Sequence, residues 1–282
     1  MHKFFITTNH TKDPDLAITQ EAAAYLRAHG AEVTIREPRG TGASQHTDPA
    51  EVPEGTECVI VLGGDGTLVR AADDLVDLEI PLLGVNLGTL GYLAEIERSA
   101  IVPALDALLE DSYQIEERMM LHGCVRRNGE ELCSGTVLND IIVSREGTPH
   151  VIILRNYVNN KYLNEYRADG LIVSSPTGST GYNLSAGGPI ISPQAELFLL
   201  TPLAAHTLSA RSFILPADSQ IRIEIMPDAK EDGPYAVATF DGENNVSLQP
   251  GDFVEICKAE RSSRILKIRD DSFLEILSRK LN

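Results

Sequence analysis

The stretch Cys58-Val-Ile-Val-Leu-Gly-Gly-Asp-Gly-Thr67 decides the fold of the first part of the chain. The run Cys58–Leu62 is continuously apolar, which is typical of a parallel strand covered on both faces. A helical pattern from Leu68 to about Asp77 follows the glycines. A strand, a glycine-rich turn and a helix in this order direct backbone N–H groups at an anion. The stretch therefore predicts an α/β unit with a phosphate-binding turn.

Asp65 is the unusual residue of this turn. A carboxylate beside phosphates is repulsive unless it binds a metal or takes a proton from an attacking hydroxyl. The turn is not a Walker motif, because no Lys follows it, and it does not read G-x-G-x-x-G. The alternative is a tight turn in which Asp65 bonds its own backbone. The buried strand before the turn and Thr67 at its end favour the functional interpretation.

Elements on either side of the turn repeat the alternation of strand and helix. We expect strands at Phe4–Thr8, Glu32–Arg36 and Pro81–Val85, and helices opened by Asp13-Pro14 and at Ile101–Glu110. The Gly-, Ser- and Pro-rich stretch from Arg39 to Gly55 is a loop, either a lid over the turn or an ordinary long linker.

From Tyr113 the pattern changes to short β-branched segments separated by turns, which indicates antiparallel strands. We expect strands at Leu121–Arg126, Gly135–Ser144, Val151–Val158, Lys161–Tyr166, Leu171–Ser174, Gln220–Met226, Tyr235–Asp241 and Phe253–Ile256, and an amphipathic helix at Asp271–Leu281. The fold class is thus an α/β domain with a Rossmann-like parallel sheet over 1–111, then a strand-rich, β-sandwich-like domain over 112–264. Residues 265–282 form a C-terminal segment that packs on the first domain.

A second constellation runs from Tyr166 to Pro189 and is rich in glycine and hydroxyl groups. Ser, Thr and Asn can hydrogen-bond sugar and base edges, and Tyr182 offers an aromatic face for stacking. An ordinary glycine-serine loop is the alternative. The density of distinctive residues favours a binding site shared by the two domains.

Three segments together resemble the bacterial NAD kinases, and the resemblance runs from Phe4 to about Leu248. They are Gly63-Gly-Asp-Gly-Thr67, Leu138-Asn-Asp140 and Pro176-Thr-Gly-Ser-Thr-Gly-Tyr-Asn-Leu-Ser-Ala-Gly-Gly188. The first is shared with lipid kinases, whereas the last is much more specific. Departures from the family pattern lie at Asp140, where Glu is common, at Gly181, where Ala is usual, and at Ala205 and Ser212, where Pro often occurs.

The resemblance implies that the chain transfers a phosphoryl group from ATP or polyphosphate to the 2′-hydroxyl of the adenosine ribose of NAD. Asp65 would be the general base. Gly63, Gly64, Gly66 and Thr67 would meet the phosphates. Apart from the resemblance, Arg70 on the helix after the turn is a candidate phosphate-binding cation, and an ordinary solvent-exposed arginine is the alternative. The residues implied to bind NAD are Gly64, Gly66, Tyr92, Asn139, Asp140, Asp169, Thr177, Thr180, Gly181, Tyr182 and Ser185. A homodimer or homotetramer is also implied.

Composition limits the partners. The 24 basic and 41 acidic residues give a formal net charge of −17, which disfavours nucleic acid and anionic membranes. Arg70 is the only cation from Leu62 to Gly91, and none occurs from Asp169 to Pro202. We therefore expect phosphates to be held by backbone amides, hydroxyls and bound Mg²⁺, with no metal ligand assigned to the protein.

The four cysteines are too sparse for a disulfide framework, and no signal peptide or membrane-length apolar run is present, so we expect a cytoplasmic protein. His206 is interpreted as a hydrogen-bonding core or interface residue. Arg211 is interpreted as a residue that links domains or subunits. Two alternatives remain: a lipid or sugar kinase sharing the glycine–aspartate loop, and a non-catalytic dinucleotide-binding regulator.

Overall fold

The structure, a computed structural model, describes residues 1–36, 46–88, 91–147, 151–206, 210–227, 236–268 and 273–281. Residues 39–45 of the predicted loop lie outside these ranges. The chain divides into two compact units, one made of residues 1–118 with 261–282 and the other of residues 119–260.

Unit 1 is an alternating α/β structure, as predicted. Its strands are β1 (Lys3–Thr8), β2 (Glu32–Ile35), β3 (Cys58–Gly63), β4 (Leu82–Asn86) and β5 (Ile96–Glu97), and its first helices are α1 (Ala17–Ala28), α2 (Asp65–Leu75) and α3 (Ile101–Leu109). Within the described residues these strands pair in parallel in the order β2–β1–β3–β4–β5.

Strand β3 is buried along its whole length because helices cover both of its faces. Cys58, Ile60 and Leu62 join one apolar core with residues of α1 and α3. Helix α2 lies close to β4, where a Cβ on Gly84 would stand 2.6 Å from Leu68 Cδ2. The expected doubly covered strand is therefore confirmed, and it fixes where the glycine turn emerges.

Helix α1 begins later than Asp13-Pro14 predicts. Its first residue is Ala17, and Leu16 before it has a left-handed backbone (φ 53°). Asp13 still serves the helix end, because its buried carboxylate accepts hydrogen bonds from the N–H groups of Ile18 (3.2 Å) and Thr19 (2.9 Å). The acidic residue caps the helix from outside it.

Unit 2 is strand-rich, as expected. The remaining strands are β6 (Gln114–Arg127), β7 (Glu130–Val137), β8 (Asp140–Arg145), β9 (Ile152–Val158), β10 (Lys161–Ala168), β11 (Gly170–Ser174), β12 (Leu197–Leu203), β13 (Phe213–Pro216), β14 (Ile221–Met226), β15 (Ala236–Phe240), β16 (Glu243–Leu248) and β17 (Phe253–Lys267). Helix α4 (Tyr182–Ser185) is one turn long, and α5 (Phe273–Leu281) belongs to unit 1.

Two antiparallel arrangements make up unit 2 in the described residues. One has the order β13–β12–β11–β8–β15–β16, and the other includes β10–β9–β14–β17 with β6 and β7. A single apolar core takes side chains from both, among them Leu154, Ile223, Leu171, Phe198 and Phe240. This packing of two sheets around one core is the sandwich-like architecture that the sequence predicts.

Several strand predictions need correction. The segment Gly135–Ser144 is two strands, β7 and β8, which are separated by Leu138-Asn139. Strands β5, β12, β13 and β16 were not predicted, although β12 forms the interior of its sheet. No helix in the described residues is long and apolar enough to cross a membrane.

Asp13 provides a test of the α1 boundary. Burial opposes ionisation of its carboxyl, but the hydrogen bonds from Thr19 and Ile18 outweigh it and lower the pKa below the ordinary 3.8. We expect Asp13→Ala to lower the free energy of unfolding by about 1–2 kcal/mol at pH 7. Because the folded-state pKa is lowered, the stabilisation holds above pH 4 and declines as the pH falls further.

Urea unfolding at pH 7 and pH 3 measures this effect, with the exposed Asp15→Ala as the matched control. Equal stabilities of the Asp13 and Asp15 variants at pH 7 would contradict the assigned cap.

Candidate active site

The carboxylate of Asp65 accepts three backbone hydrogen bonds at the start of α2. Tyr92 N–H donates to Oδ2 at 2.6 Å, and the N–H groups of Leu93 (3.2 Å) and Ala94 (3.0 Å) donate to Oδ1. The bonds join the glycine turn to the segment that follows β4. A carboxylate offers about four acceptor sites on its two oxygens, so one site on Oδ2 stays open.

Gly91 makes this close approach possible. A Cβ at Gly91 would stand 1.7 Å from Asp65 Oδ1 and 2.6 Å from Oδ2, far inside van der Waals contact. Gly91 was not among the residues predicted from the sequence, although the paired glycines of the stretch Asn86-Leu-Gly-Thr-Leu-Gly-Tyr92 are a signal for it. The hydrogen bonds of the Asp65 carboxylate therefore require glycine at position 91.

The glycine turn is shaped by side-chain packing as well as by the helix. Thr67 lies over Gly63, where a Cβ would stand 2.3 Å from its Oγ1, and Asn9 Nδ2 donates to that hydroxyl at 3.2 Å. The helix begins at Asp65, earlier than the predicted Leu68. Asp65 and Gly66 are therefore the first two residues of the helix. Their backbone N–H groups lie in the turn and have no acceptor within the helix.

Two other predicted residues of unit 1 lie near this region. Tyr92 is half-buried, and Lys280 Nζ stands 4.3 Å from the centre of its ring. Arg70 is half-buried on α2, five residues after Asp65, or about 7.5 Å along the helix axis. Asp65 and Tyr92 are thus brought together, whereas Arg70 is set back from the turn.

In unit 2, Asp241 holds the Leu138-Asn-Asp140 motif. Its Oδ2 accepts from Leu138 N–H (2.9 Å) and its Oδ1 from Asp140 N–H (2.7 Å), while Asn139 N–H donates to both oxygens. Asp241 itself has a left-handed backbone (φ 46°). This role of Asp241 was not predicted from the sequence.

The long glycine- and hydroxyl-rich motif is bonded to the same turn. Ser175 N–H donates to Asn139 O at 2.8 Å, and Ser175 Oγ donates to Leu138 O at 2.5 Å. A Cβ on Gly178 would stand 2.3 Å from Asn139 O, so only glycine allows the 3₁₀ turn Thr177–Thr180 to pack there. The structure therefore brings two of the three predicted motifs together within unit 2.

Asn183 anchors the rest of this motif from inside. It is fully buried, its Nδ2 donates to the carbonyls of Ser179 (3.1 Å) and Pro189 (3.0 Å), and Thr201 Oγ1 donates to its Oδ1 at 2.7 Å. Its neighbours point outward: Gly181, Tyr182 and Ser185 are exposed. The anchor holds a rigid turn that presents these residues to solvent.

Two predicted binding groups have unused hydrogen-bonding capacity. The Oγ1 of Thr177 is buried and has no hydrogen-bond partner. The half-buried side-chain amide of Asn139 has no hydrogen bond to any described residue. A buried hydroxyl without a partner is costly, and a bound polar ligand would satisfy it. Thr180 differs, since its hydroxyl donates to Thr177 O at 3.4 Å.

Asp140 is a buried carboxyl group beside a second one. Burial, followed by the charge of Asp241, raises its pKa from 3.8 to about 7. Near neutral pH such a carboxyl group both donates and accepts hydrogen bonds.

Asp169 is placed apart from Asp140. It precedes β11, whose far end pairs Ser174 with Asp140, and five residues of strand separate it from Ser174 by roughly 17 Å. Its carboxylate forms an ion pair with Arg145 (3.4 Å). Asp169 and Asp140, both implied to bind NAD, are therefore not side by side within one chain.

The remaining residues singled out by sequence do not form a metal centre. His206 is exposed and its backbone N–H donates to Arg167 O at 2.8 Å, which excludes the core alternative, while the interface alternative stays a prediction. Arg211 is exposed, and its Nη1 donates to Ala210 O. Among the described residues, no group of three or more His, Cys, Asp or Glu side chains is arranged to hold a metal ion.

Comparison with known protein families identifies the family of this chain. Residues 4–113 match the family model described as the ATP-NAD kinase N-terminal domain, and residues 138–268 match the ATP-NAD kinase C-terminal domain. The chain belongs to the NAD kinase family. It is therefore a kinase, and the family resemblance of its three motifs is confirmed.

Relatives named NAD kinase match along the full chain. The protein of Lachnospira eligens is 44% identical over 293 residues and covers 100% of both chains. That of Agathobacter rectalis is 43% identical over 282 residues, covering 100% of this chain and 99% of its own. This family membership does not support the lipid or sugar kinase alternative.

Solved structures of NAD kinases share the fold. Yeast NADH kinase complexed with NADH has a TM-score of 0.85 at 22% identity, covering 100% of this chain and 87% of that one. An NAD kinase from Archaeoglobus fulgidus in complex with ATP has a TM-score of 0.75 at 21% identity, with 98% of both chains covered. The two-domain fold class predicted from sequence is thus confirmed.

Gly91→Ala tests the Asp65 contacts. The added Cβ displaces the carboxylate from the three N–H groups, so we expect the free energy of unfolding to fall by at least about 2 kcal/mol. Chemical unfolding measures it. Gly66→Ala is the matched control, because a Cβ at Gly66 meets nothing within 4 Å. Equal stability of the two variants would show that Asp65 does not depend on Gly91.

Asp140→Asn tests the raised pKa. Folded wild type retains the Asp140 proton at pH values where the unfolded chain releases it, so its stability declines as pH rises from about 4 to about 7. Asn does not titrate, so the variant does not lose stability in this way as the pH rises. We expect the variant to be more stable than wild type at pH 8, by up to about 4 kcal/mol. Unfolding free energies between pH 4 and 8 measure this difference. A wild-type profile parallel to that of the variant would contradict it.

Proposed function

We propose that the chain phosphorylates the 2′-hydroxyl of the adenosine ribose of NAD, with ATP as the phosphoryl donor. The observation that carries the proposal is the open acceptor site on Asp65 Oδ2. Three backbone N–H groups fix the carboxylate and leave one lone pair for an incoming hydroxyl. The names of the relatives and the bound ATP of the Archaeoglobus fulgidus neighbour support the two substrates.

The proposed reaction uses Asp65 as the general base. Asp65 Oδ2 accepts the proton of the ribose 2′-hydroxyl, and the oxygen forms a bond to the γ-phosphorus of ATP. The bond from that phosphorus to the bridging oxygen breaks, and ADP leaves with the electron pair. Positioning contributes much of the catalysis in such transfers, which fits a base held by three fixed donors.

Unit 2 supplies the proposed dinucleotide contacts. The unpartnered Oγ1 of Thr177 and the side-chain amide of Asn139 suit the polar edge of adenine. Asp140 is proposed to bond a ribose, and Tyr182 to pack against the dinucleotide through its exposed ring. Thr180, Gly181, Ser185 and Asp169 complete the proposed set.

Donor phosphates are proposed to meet the backbone of Gly63, Gly64, Gly66 and Thr67. Mg²⁺ when bound would neutralise phosphate charge, and phosphate oxygens are among the ligands that it prefers. Polyphosphate presents the same chemistry and is the proposed alternative donor. We also propose a cytoplasmic location, which four free cysteines support, and assembly into a homodimer or homotetramer.

The decisive assay combines purified protein, NAD, ATP and MgCl₂, and detects NADP with an NADP-specific dehydrogenase. We expect NADP to form, and EDTA in excess over Mg²⁺ to abolish its formation. Polyphosphate in place of ATP tests the second donor. NAD binding without NADP formation would favour a non-catalytic regulator and overturn the proposal.

Asp65→Asn tests the base. We expect turnover to fall by about 10²-fold or more, since Asn cannot take the hydroxyl proton, while NAD binding is retained. Calorimetric titration with NAD and the melting temperature show whether the fold persists, because Asn also loses acceptor capacity toward the three N–H groups. Turnover near the wild-type value would remove Asp65 from the mechanism.

A further inference from the structure

Lys12 lies beside the glycine turn although 51 residues separate it from Gly63. It belongs to the loop between β1 and α1, and its Nζ donates to Gly63 O at 3.2 Å. The same Nζ would stand 2.8 Å from a Cβ on Gly64 and 3.1 Å from a Cβ on Gly88. The ammonium group therefore occupies space that two glycines leave open at the carboxyl ends of β3 and β4.

Lys12 is a cation without a carboxylate partner in the described part of the chain. Its side chain is exposed, and its one hydrogen bond there is to Gly63 O. An ammonium group has three N–H donors, so two remain for a ligand. The nearby acidic groups are already engaged, Asp65 with the N–H groups of residues 92–94 and Asp13 with Thr19 and Ile18. An unpaired lysine in a chain of net charge −17 is notable at this position.

The negative charges at the turn favour a cation at this position. Asp65 is an anion next to the proposed phosphate path, and it repels the donor phosphates. Arg70, the cation predicted from sequence, lies about 7.5 Å further along α2. Lys12 Nζ instead contacts the turn itself, through its hydrogen bond to Gly63 O.

We propose that Lys12 binds the phosphates of the phosphoryl donor and positions them at the glycine turn. The inference rests on the proposed function, since it assigns a residue to the donor of that reaction. Lys is a compact, mobile charge on a flexible stem, which suits a phosphate chain that moves as transfer proceeds. Lys12 donates two hydrogen bonds to phosphate oxygens while the third holds it at Gly63 O.

The first experiment is kinetic. Lys12→Met retains an unbranched side chain only one atom shorter and removes the charge, and we expect the KM for ATP to rise about 10-fold or more. The dissociation constant for NAD, measured by calorimetry without ATP, stays within about twofold of wild type. Lys12→Arg restores most of the ATP affinity. Lys161→Met, in an exposed position of β10, makes the same change in net charge and leaves both constants unchanged.

The second experiment reads the lysine directly. Wild-type protein is acetylated briefly with acetic anhydride, with and without ATP and MgCl₂, and modification at Lys12 and Lys161 is quantified by mass spectrometry. We expect ATP to lower acetylation of Lys12 several-fold and to leave Lys161 unchanged. An unchanged KM for ATP in Lys12→Met, or equal acetylation of Lys12 with and without ATP, overturns the inference. Absence of NADP formation by wild type instead overturns the proposed function, whereas Lys12 protection by ATP is measured independently of turnover.

Discussion

The bonds from the N–H groups of Tyr92, Leu93 and Ala94 to the Asp65 carboxylate are the interaction on which the candidate active site depends. A carboxylate at a helix N-terminus is favoured by the helix dipole, but it needs donors once it is partly buried. The segment after β4 supplies those donors from 27 or more residues away. The start of α2, the path of the chain after β4 and the direction of the open lone pair are thus set together, and Gly91 is the steric condition for all three.

The same arrangement occurs in unit 2, where the Asp241 carboxylate accepts hydrogen bonds from the N–H groups of Leu138, Asn139 and Asp140. In both units a carboxylate holds three consecutive backbone N–H groups of a distant turn. Part of the acidity of this chain is therefore structural. The arrangement has an electrostatic consequence, because it buries Asp140 next to the charge of Asp241 and so raises the pKa of Asp140.

Sequence predicted what local pattern determines and missed what distant contacts determine. The apolar run Cys58–Leu62 and its glycine turn were identified because burial on both faces leaves no alternation. The split of Gly135–Ser144 was missed because its turn contains neither Gly nor Pro and is held by Asp241, about a hundred residues later. Strand β12 contains Pro202, which is unusual within a sheet and obscured the pattern. The roles of Gly91 and Lys12 depend on contacts across 26 and 51 residues, which no local window contains.

Net charge and local charge lead to different conclusions about phosphate binding. A count along the chain finds one cation, Arg70, between Leu62 and Gly91 and predicts binding by amides, hydroxyls and metal. The fold adds Lys12 to that region, because parallel pairing of β1 with β3 brings the loops after both strands to the same edge of the sheet. Charges that serve a site at this edge can thus come from any loop that follows a strand. A net charge of −17 limits which partners approach from a distance, whereas the order of strands in the sheet decides which charges meet the ligand.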